Sequence, residues 1–123
     1  MEQETQMDNA AIDFQELLDR VEQDRDLMRE LFAMFREEYP RQRQALQQAV
    51  DAMAMPQIQA AGHTLKGMCA NLAMKTAAQA AASVEMAAKQ QSTADLPGAL
   101  AALDQAGDAV MRVLDRTVAG ETA

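Results

Sequence analysis

Tryptophan is absent from this sequence of 123 residues, and tyrosine and phenylalanine together supply only four. The apolar half of the composition consists mainly of alanine, leucine and methionine, with 26, 11 and 10 residues respectively. These residue types favour helices, whereas strands are enriched in β-branched and aromatic residues. The composition and the length therefore predict one all-α domain.

Cysteine and histidine each occur once, as Cys69 and His63. A single thiol excludes an internal disulfide framework and the zinc or iron–sulfur sites that need several thiolates. A single imidazole removes most of the remaining metal and haem sites. We therefore expect the chain to carry no metal and no cofactor of its own, and we expect Cys69 to be a small buried hydrophobic residue.

Basic residues are also few, since 11 Lys and Arg stand against 19 Asp and Glu and give a formal net charge of −8. Nucleic-acid binding needs a basic face, so it is excluded as a function. No apolar run approaches the roughly 18 residues that would span a bilayer. The first nine residues contain three acids and no base, unlike a secretory signal. We expect a soluble, cytoplasmic protein that does not insert into membranes, and a monomer.

Apolar residues recur at helical spacing in five segments. Their expected bounds are residues 12–21, 24–53, 56–74, 75–91 and 95–118. Asn9 or Asp13 is the expected cap of the first segment, and Pro40 is expected to kink the second without ending it. The short connections predict an up-and-down antiparallel four-helix bundle with a short additional N-terminal helix. This domain is expected over residues 11–118, between unstructured tails at 1–10 and 119–123.

The third segment places His63 away from the predicted core. At about 100° per residue, six apolar residues fall within roughly 60° of the side opposite His63. They are Ile58, Ala61, Leu65, Met68, Cys69 and Leu72. Gly67 lies one turn further along the helix, only about 40° from His63, and Lys66 is near the same face. The pattern therefore indicates an exposed imidazole rather than a histidine of the core.

Lys66 and Gly67 suggest what this imidazole does. A glycine within a helix costs about 1 kcal/mol relative to alanine, which this sequence uses freely elsewhere. The missing side chain at Gly67 leaves space for another protein to bring a group to a ring nitrogen of His63. The Lys66 ammonium is suited to contact three phosphoryl oxygens. A tolerated glycine and a solvated lysine are the alternatives for each residue alone, but their joint position favours a group-transfer site.

One stretch of the third segment reads His63-Thr64-Leu65-Lys66-Gly67, followed by Ala70-Asn71-Leu72. This stretch resembles the signature of histidine-containing phosphotransfer (HPt) domains, and the order of the helices follows that family over essentially the whole chain. One departure is Ala73, where the family usually has a glycine that we expect to serve close helix packing.

The resemblance implies that the chain is a phosphorelay intermediate. His63 would accept a phosphoryl group from the aspartate of one receiver domain and pass it to another receiver. The implied partners are receiver domains of response regulators or of hybrid sensor histidine kinases, and Mg²⁺ is expected on the receiver. The resemblance implies no ATP-dependent kinase activity, and the sequence contains no glycine-rich phosphate loop.

Glu85 is a further candidate site residue. If the chain reverses near Met74, His63 lies 11 residues before the turn and Glu85 lies 11 after it. Antiparallel helices then place both residues at the same level. The carboxylate can accept a hydrogen bond from Nδ1–H of His63 and leave Nε2 as the nucleophile. A solvated surface glutamate is the alternative at this position.

The alternative function is a helical adaptor that binds a partner without chemistry.

We expect the methionines to belong to the core, because they follow the helical spacing. The charged stretch at residues 36–43 is expected to be a solvated face with local ion pairs.

Overall fold

The computed structural model describes residues 10–118, with side chains described as far as residue 116. It contains five helices within that range, which are α1 (Phe14–Arg20), α2 (Arg25–Asp51), α3 (Met55–Asn71), α4 (Lys75–Lys89) and α5 (Leu96–Val118). No strand occurs among these residues, so the predicted all-α class is confirmed. The expected tails at residues 1–9 and 119–123 lie outside the described residues. Ala10 lies within them, and its carbonyl accepts a hydrogen bond from the Thr76 hydroxyl at 3.4 Å.

The four long helices form the predicted antiparallel bundle. Helix α3 packs between α2 and α4, α4 packs on α5, and α5 returns to α2. Their apolar faces meet in one core, whose largest fully buried side chains include Phe32, Leu46, Ile58, Leu65, Met74, Leu103 and Leu114. Within the described residues the core holds no polar or charged residue. None of the helices in this part of the chain is long and apolar enough to cross a membrane.

The short helix α1 covers the end of the bundle where α3 turns into α4. Asp13 is its cap, because the Asp13 carboxylate accepts a hydrogen bond from the Glu16 amide at 3.0 Å. The Asp13 amide in turn donates to the Ala73 carbonyl at 2.9 Å. Arg20 donates from Nη1 to the Ala70 carbonyl at 2.7 Å. This bond provides a donor to one of the carbonyl groups at the C-terminal end of α3, which lack helical partners.

Pro40 does not end its helix and Pro56 lies in a first turn, as the sequence predicts. Helix α2 begins after Asp24, whose carboxylate accepts from the Leu27 amide at 3.0 Å, and it continues through Pro40. Pro56 lies in the first turn of α3. Backbone N–H groups in a first turn have no acceptor within the helix, so the missing N–H of proline costs no hydrogen bond there.

Three helices end two or three residues earlier than predicted, because the residue beyond each cap turns left-handed. Met53, Ala73 and Gln91 have φ of 53°, 57° and 54°. After Ala73, the Met74 amide donates back to the Cys69 carbonyl at 3.0 Å, which is the closing bond of a Schellman motif. Glycine is the usual residue in this conformation. The turn of the backbone is therefore one reason that favours glycine at position 73. Ala73 is also buried in the core, so the expected role of this position in helix packing stays a prediction.

The expectation that the methionines belong to the core needs correction. Met28 and Met74 are buried, but Met34, Met53 and Met86 are exposed, so the assignment of the methionines to the core is wrong for these three.

The charged stretch at residues 36–43 is also more than a solvated face. Arg36 Nη2 donates to Asp115 at 2.7 Å, and Arg43 donates to both carboxylate oxygens of Asp104 at 2.6 and 3.0 Å. These pairs join α2 to α5. Only Arg41 forms the expected local ion pair, with Glu38 at 3.9 Å.

Gly107, in α5, makes room for a side chain of α2. A Cβ at position 107 would overlap the Tyr39 hydroxyl and lie 2.7 Å from Tyr39 Cζ. We expect Gly107→Ala to lower the free energy of unfolding by about 2 kcal/mol, because an overpacking cost of about 3 kcal/mol exceeds a helix-propensity gain of about 1 kcal/mol. Chemical denaturation measures the difference. Gly98→Ala is the control, since a Cβ there meets nothing within 4 Å, and a Gly107→Ala protein as stable as this control would contradict the expectation.

Candidate functional site

Helix α3 presents His63 to solvent, with 68% of the side chain exposed. Ile58, Leu65 and Cys69 of the same helix are fully buried, so the core lies on the opposite side, as the helical wheel predicts. Burial raises the pKa of the Cys69 thiol to about 12, which agrees with its interpretation as a small hydrophobic residue. The side of α3 that faces solvent is therefore the side on which chemistry with another protein is possible.

Glu85, on α4, lies at the level of His63. Its Oε2 is 2.8 Å from Nδ1 of His63. A carboxylate can only accept at this contact, so the imidazole proton belongs on Nδ1 and the lone pair on Nε2. The arrangement leaves the lone pair of an exposed ring on Nε2.

The second oxygen of the same carboxylate binds Lys66. Lys66 Nζ lies 2.8 Å from Glu85 Oε1, and the lysine side chain is 38% exposed. The hydrogen bond from Lys66 is the largest effect on the pKa of Glu85 and lowers it. Burial is the second-largest effect and raises this pKa, and the weaker effect of the hydrogen bond from His63 lowers it again. Glu85 is therefore an ionised bridge between the two residues at neutral pH.

Sequence reasoning did not predict the pair between Lys66 and Glu85. It expected the Lys66 ammonium beside His63, ready for a phosphoryl group. The sequence does contain an indication of this pair, because Lys66 lies one turn beyond His63 on the flank of α3 that faces α4. A carboxylate that reaches His63 from α4 is therefore also within reach of Lys66.

Gly67 is open on its outer side. A Cβ at this position would have no neighbouring heavy atom within 4 Å. The next residue along the same face is Ala70, which is exposed and small. The two residues that follow His63 on its own face of the helix are therefore both small.

Gly62, which the sequence analysis did not single out, is buried between α3 and α4. A Cβ at position 62 would lie 2.9 Å from the backbone nitrogen of Glu85 and 3.2 Å from its Cα. The sequence feature that could have indicated Gly62 is the presence of two glycines in one helix, one of them directly before His63. Its effect depends on a distance between helices, which periodicity does not give.

The ionisation of Glu85 predicts a pH-dependent difference between the wild type and Glu85→Gln. A pKa that folding lowers adds stability above the ordinary glutamate value, and this stability is lost as the pH falls through the folded-state pKa. We expect the wild type to be more stable at pH 7 by at most about 1 kcal/mol, and we expect the difference to shrink as the pH falls below the ordinary glutamate range. Thermal melts from pH 7 to pH 3 measure it. An equal difference at both ends of this range would contradict an ionised bridge.

The geometry thus defines a class of protein. Its members are helical bundles that expose one histidine beside a lysine, a glycine and a carboxylate bound to the imidazole. In agreement with it, the family model of the Hpt domain matches residues 30–113. The match covers more than half of the chain and includes all of α3 and α4, so the chain belongs to the Hpt domain family. Curated proteins and solved structures gave no match.

Membership of this family gives the chain a role in phosphotransfer within two-component signalling. Hpt domains in general carry phosphoryl groups without kinase activity, and they interact with receiver domains.

Proposed function

We propose that His63 accepts a phosphoryl group on Nε2 from the phosphoaspartate of a receiver domain and passes it to the aspartate of another. The observation that carries this proposal is an exposed imidazole whose Nδ1 is held by an ionised carboxylate at 2.8 Å. Family membership supports the phosphoryl group as the cargo.

The chemistry needs one nucleophile and no cofactor of this chain. The Nε2 lone pair attacks phosphorus, the N–P bond forms, and the acyl phosphate O–P bond breaks with the receiver carboxylate as leaving group. The ring gains positive charge in this step, and Glu85, at Nδ1, stabilises that charge. In the onward step, the carboxylate of the next receiver attacks the same phosphorus and Nε2 leaves. Mg²⁺ and the acidic pocket belong to the receivers.

Lys66 is proposed as the phosphoryl contact. Its ammonium lies on Glu85 and remains partly exposed, so a phosphoryl group on Nε2 would present further oxygen acceptors one helical turn away. Gly67 is proposed to give the receiver access, because nothing fills the space beside it.

The partners follow from this chemistry. They are receiver domains, from response regulators or from hybrid sensor kinases, and we place the encounter in the cytoplasm with this chain as a monomer. The alternative, an adaptor without chemistry, gives no reason to hold an ionised carboxylate and a lysine beside an exposed imidazole.

The test is a two-step transfer. A panel of receiver domains is phosphorylated with labelled acetyl phosphate, repurified and mixed with the chain. We expect label on the chain that is stable to base and lost in acid, and we expect a second receiver to remove it. Incubation with labelled Mg-ATP alone is the control and should leave the chain unlabelled. Failure of every receiver to label the chain, or label that survives acid, would overturn the proposal.

A further inference from the structure

Helix α3 contains two glycines beside His63, and their surroundings differ. A Cβ at Gly67 would enter open space, whereas a Cβ at Gly62 would meet the backbone of Glu85. The contacted atoms are the Glu85 nitrogen at 2.9 Å and Cα at 3.2 Å. Backbone atoms of a helix cannot rotate away, unlike the end of a flexible side chain. Gly62 therefore allows α3 and α4 to approach each other at the level of the candidate site.

The close approach and the contact to His63 involve two neighbouring residues of α3 and one residue of α4. Gly62 precedes His63 on α3, and the backbone that Gly62 faces belongs to Glu85, whose carboxylate binds Nδ1 of His63 at 2.8 Å. A methyl group at position 62 would need roughly half an ångström more space to reach ordinary van der Waals contact. The same shift would move the Nδ1 contact beyond about 3.2 Å, where hydrogen bonds weaken.

We infer that Gly62 is a positioning residue for His63. It sets the distance between the α3 and α4 backbones at which the Glu85 carboxylate reaches Nδ1, and thereby fixes the proton on Nδ1 and the lone pair on Nε2. Lys66 has a longer and more flexible side chain, so its contact with Glu85 follows a small movement of α4 that the imidazole cannot follow. The role in phosphotransfer rests on the proposed function, but the effect on the imidazole does not.

The test compares Gly62→Ala with Gly67→Ala, which adds the same methyl group to the same helix in open space. Nitrogen-15 NMR of the neutral imidazole reports which ring nitrogen carries the proton. We expect the proton on Nδ1 in the wild type and in Gly67→Ala, and a population shifted toward Nε2–H in Gly62→Ala. A change in packing alone would lower the melting temperature of Gly62→Ala without moving the proton, and that result would overturn the inference.

Transfer from a phosphorylated receiver gives the second readout. We expect Gly62→Ala to be labelled about 10-fold more slowly than the wild type, since small misplacements at a reacting centre have large effects on rate. Gly98→Ala, which adds a methyl group in open space on α5, should be labelled at the rate of the wild type. If Gly62→Ala alone does not fold, the same substitution is made in the Gly98→Ala background, which we expect to be more stable.

The two proposals fail in different ways. An unlabelled wild type would contradict the proposed function, and the position of the imidazole proton would still decide the role of Gly62. A folded Gly62→Ala protein with the proton on Nδ1 and an unchanged rate would overturn the inference and leave the proposed function intact.

Discussion

His63→Gln is expected to abolish acceptance of the phosphoryl group and to leave the fold unchanged. Glutamine has a similar polarity but no ring nitrogen with a lone pair, so no N–P bond can form at position 63. The side chain is 68% exposed and opposite the core, so the free energy of unfolding should change by at most about 0.5 kcal/mol. Labelling by a phosphorylated receiver and a thermal melt measure the two effects.

Gln57→Ala is a control for this prediction, because Gln57 is an exposed residue near the start of the same helix. It should retain both stability and labelling. A His63→Gln protein that still takes acid-labile label would show that another residue accepts the phosphoryl group.

Substitutions at Gly67 are expected to move stability and rate in opposite directions. Nothing lies within 4 Å of a Cβ there, so Gly67→Ala should stabilise the protein by up to about 1 kcal/mol and Gly67→Leu should still fold. The rate of phosphoryl transfer should fall in both, by about 100-fold for leucine. The reason is that the attacking nitrogen and the phosphorus must come within roughly 3 to 3.5 Å, and a larger side chain holds the receiver away.

Melting temperatures and transfer rates of both Gly67 variants test this expectation, with Gly98→Ala as the matched control. The control adds a methyl group in open space on a different helix, α5. It should gain stability and leave the rate of phosphoryl transfer unchanged. Parallel loss of stability and rate at Gly67 would mean that the glycine serves the fold of α3 rather than access to the ring.

Properties that depend on one helix, or on counting residues along two antiparallel helices, were predictable from the sequence. The spacing of Ile58, Leu65 and Cys69 predicts which side of α3 is buried, and residue type gives Asp13 as one of two candidate caps of α1. Counting residues from the turn places Glu85 at the level of His63, because antiparallel helices have the same rise per residue.

Properties that depend on distances between helices were not predictable. The close approach at Gly62 and the position of Tyr39 against Gly107 arise from the packing of whole helices, which hydrophobic spacing does not determine. Arg36 and Arg43 find carboxylates on α5, about 60 to 80 residues away in the chain, although closer acids are available. Helix ends were overestimated because Ala73 takes a left-handed conformation that its residue type does not favour.

The most direct test of the central claim is to locate the phosphoryl group on the imidazole. The chain is labelled by a phosphorylated receiver, the modified residue is identified by mass spectrometry at alkaline pH, and phosphorus and nitrogen NMR distinguish the two ring isomers. Because Glu85 occupies Nδ1 at 2.8 Å, we predict one phosphoryl group, on Nε2 of His63. A phosphoryl group on Nδ1, or on any other residue, would contradict the account.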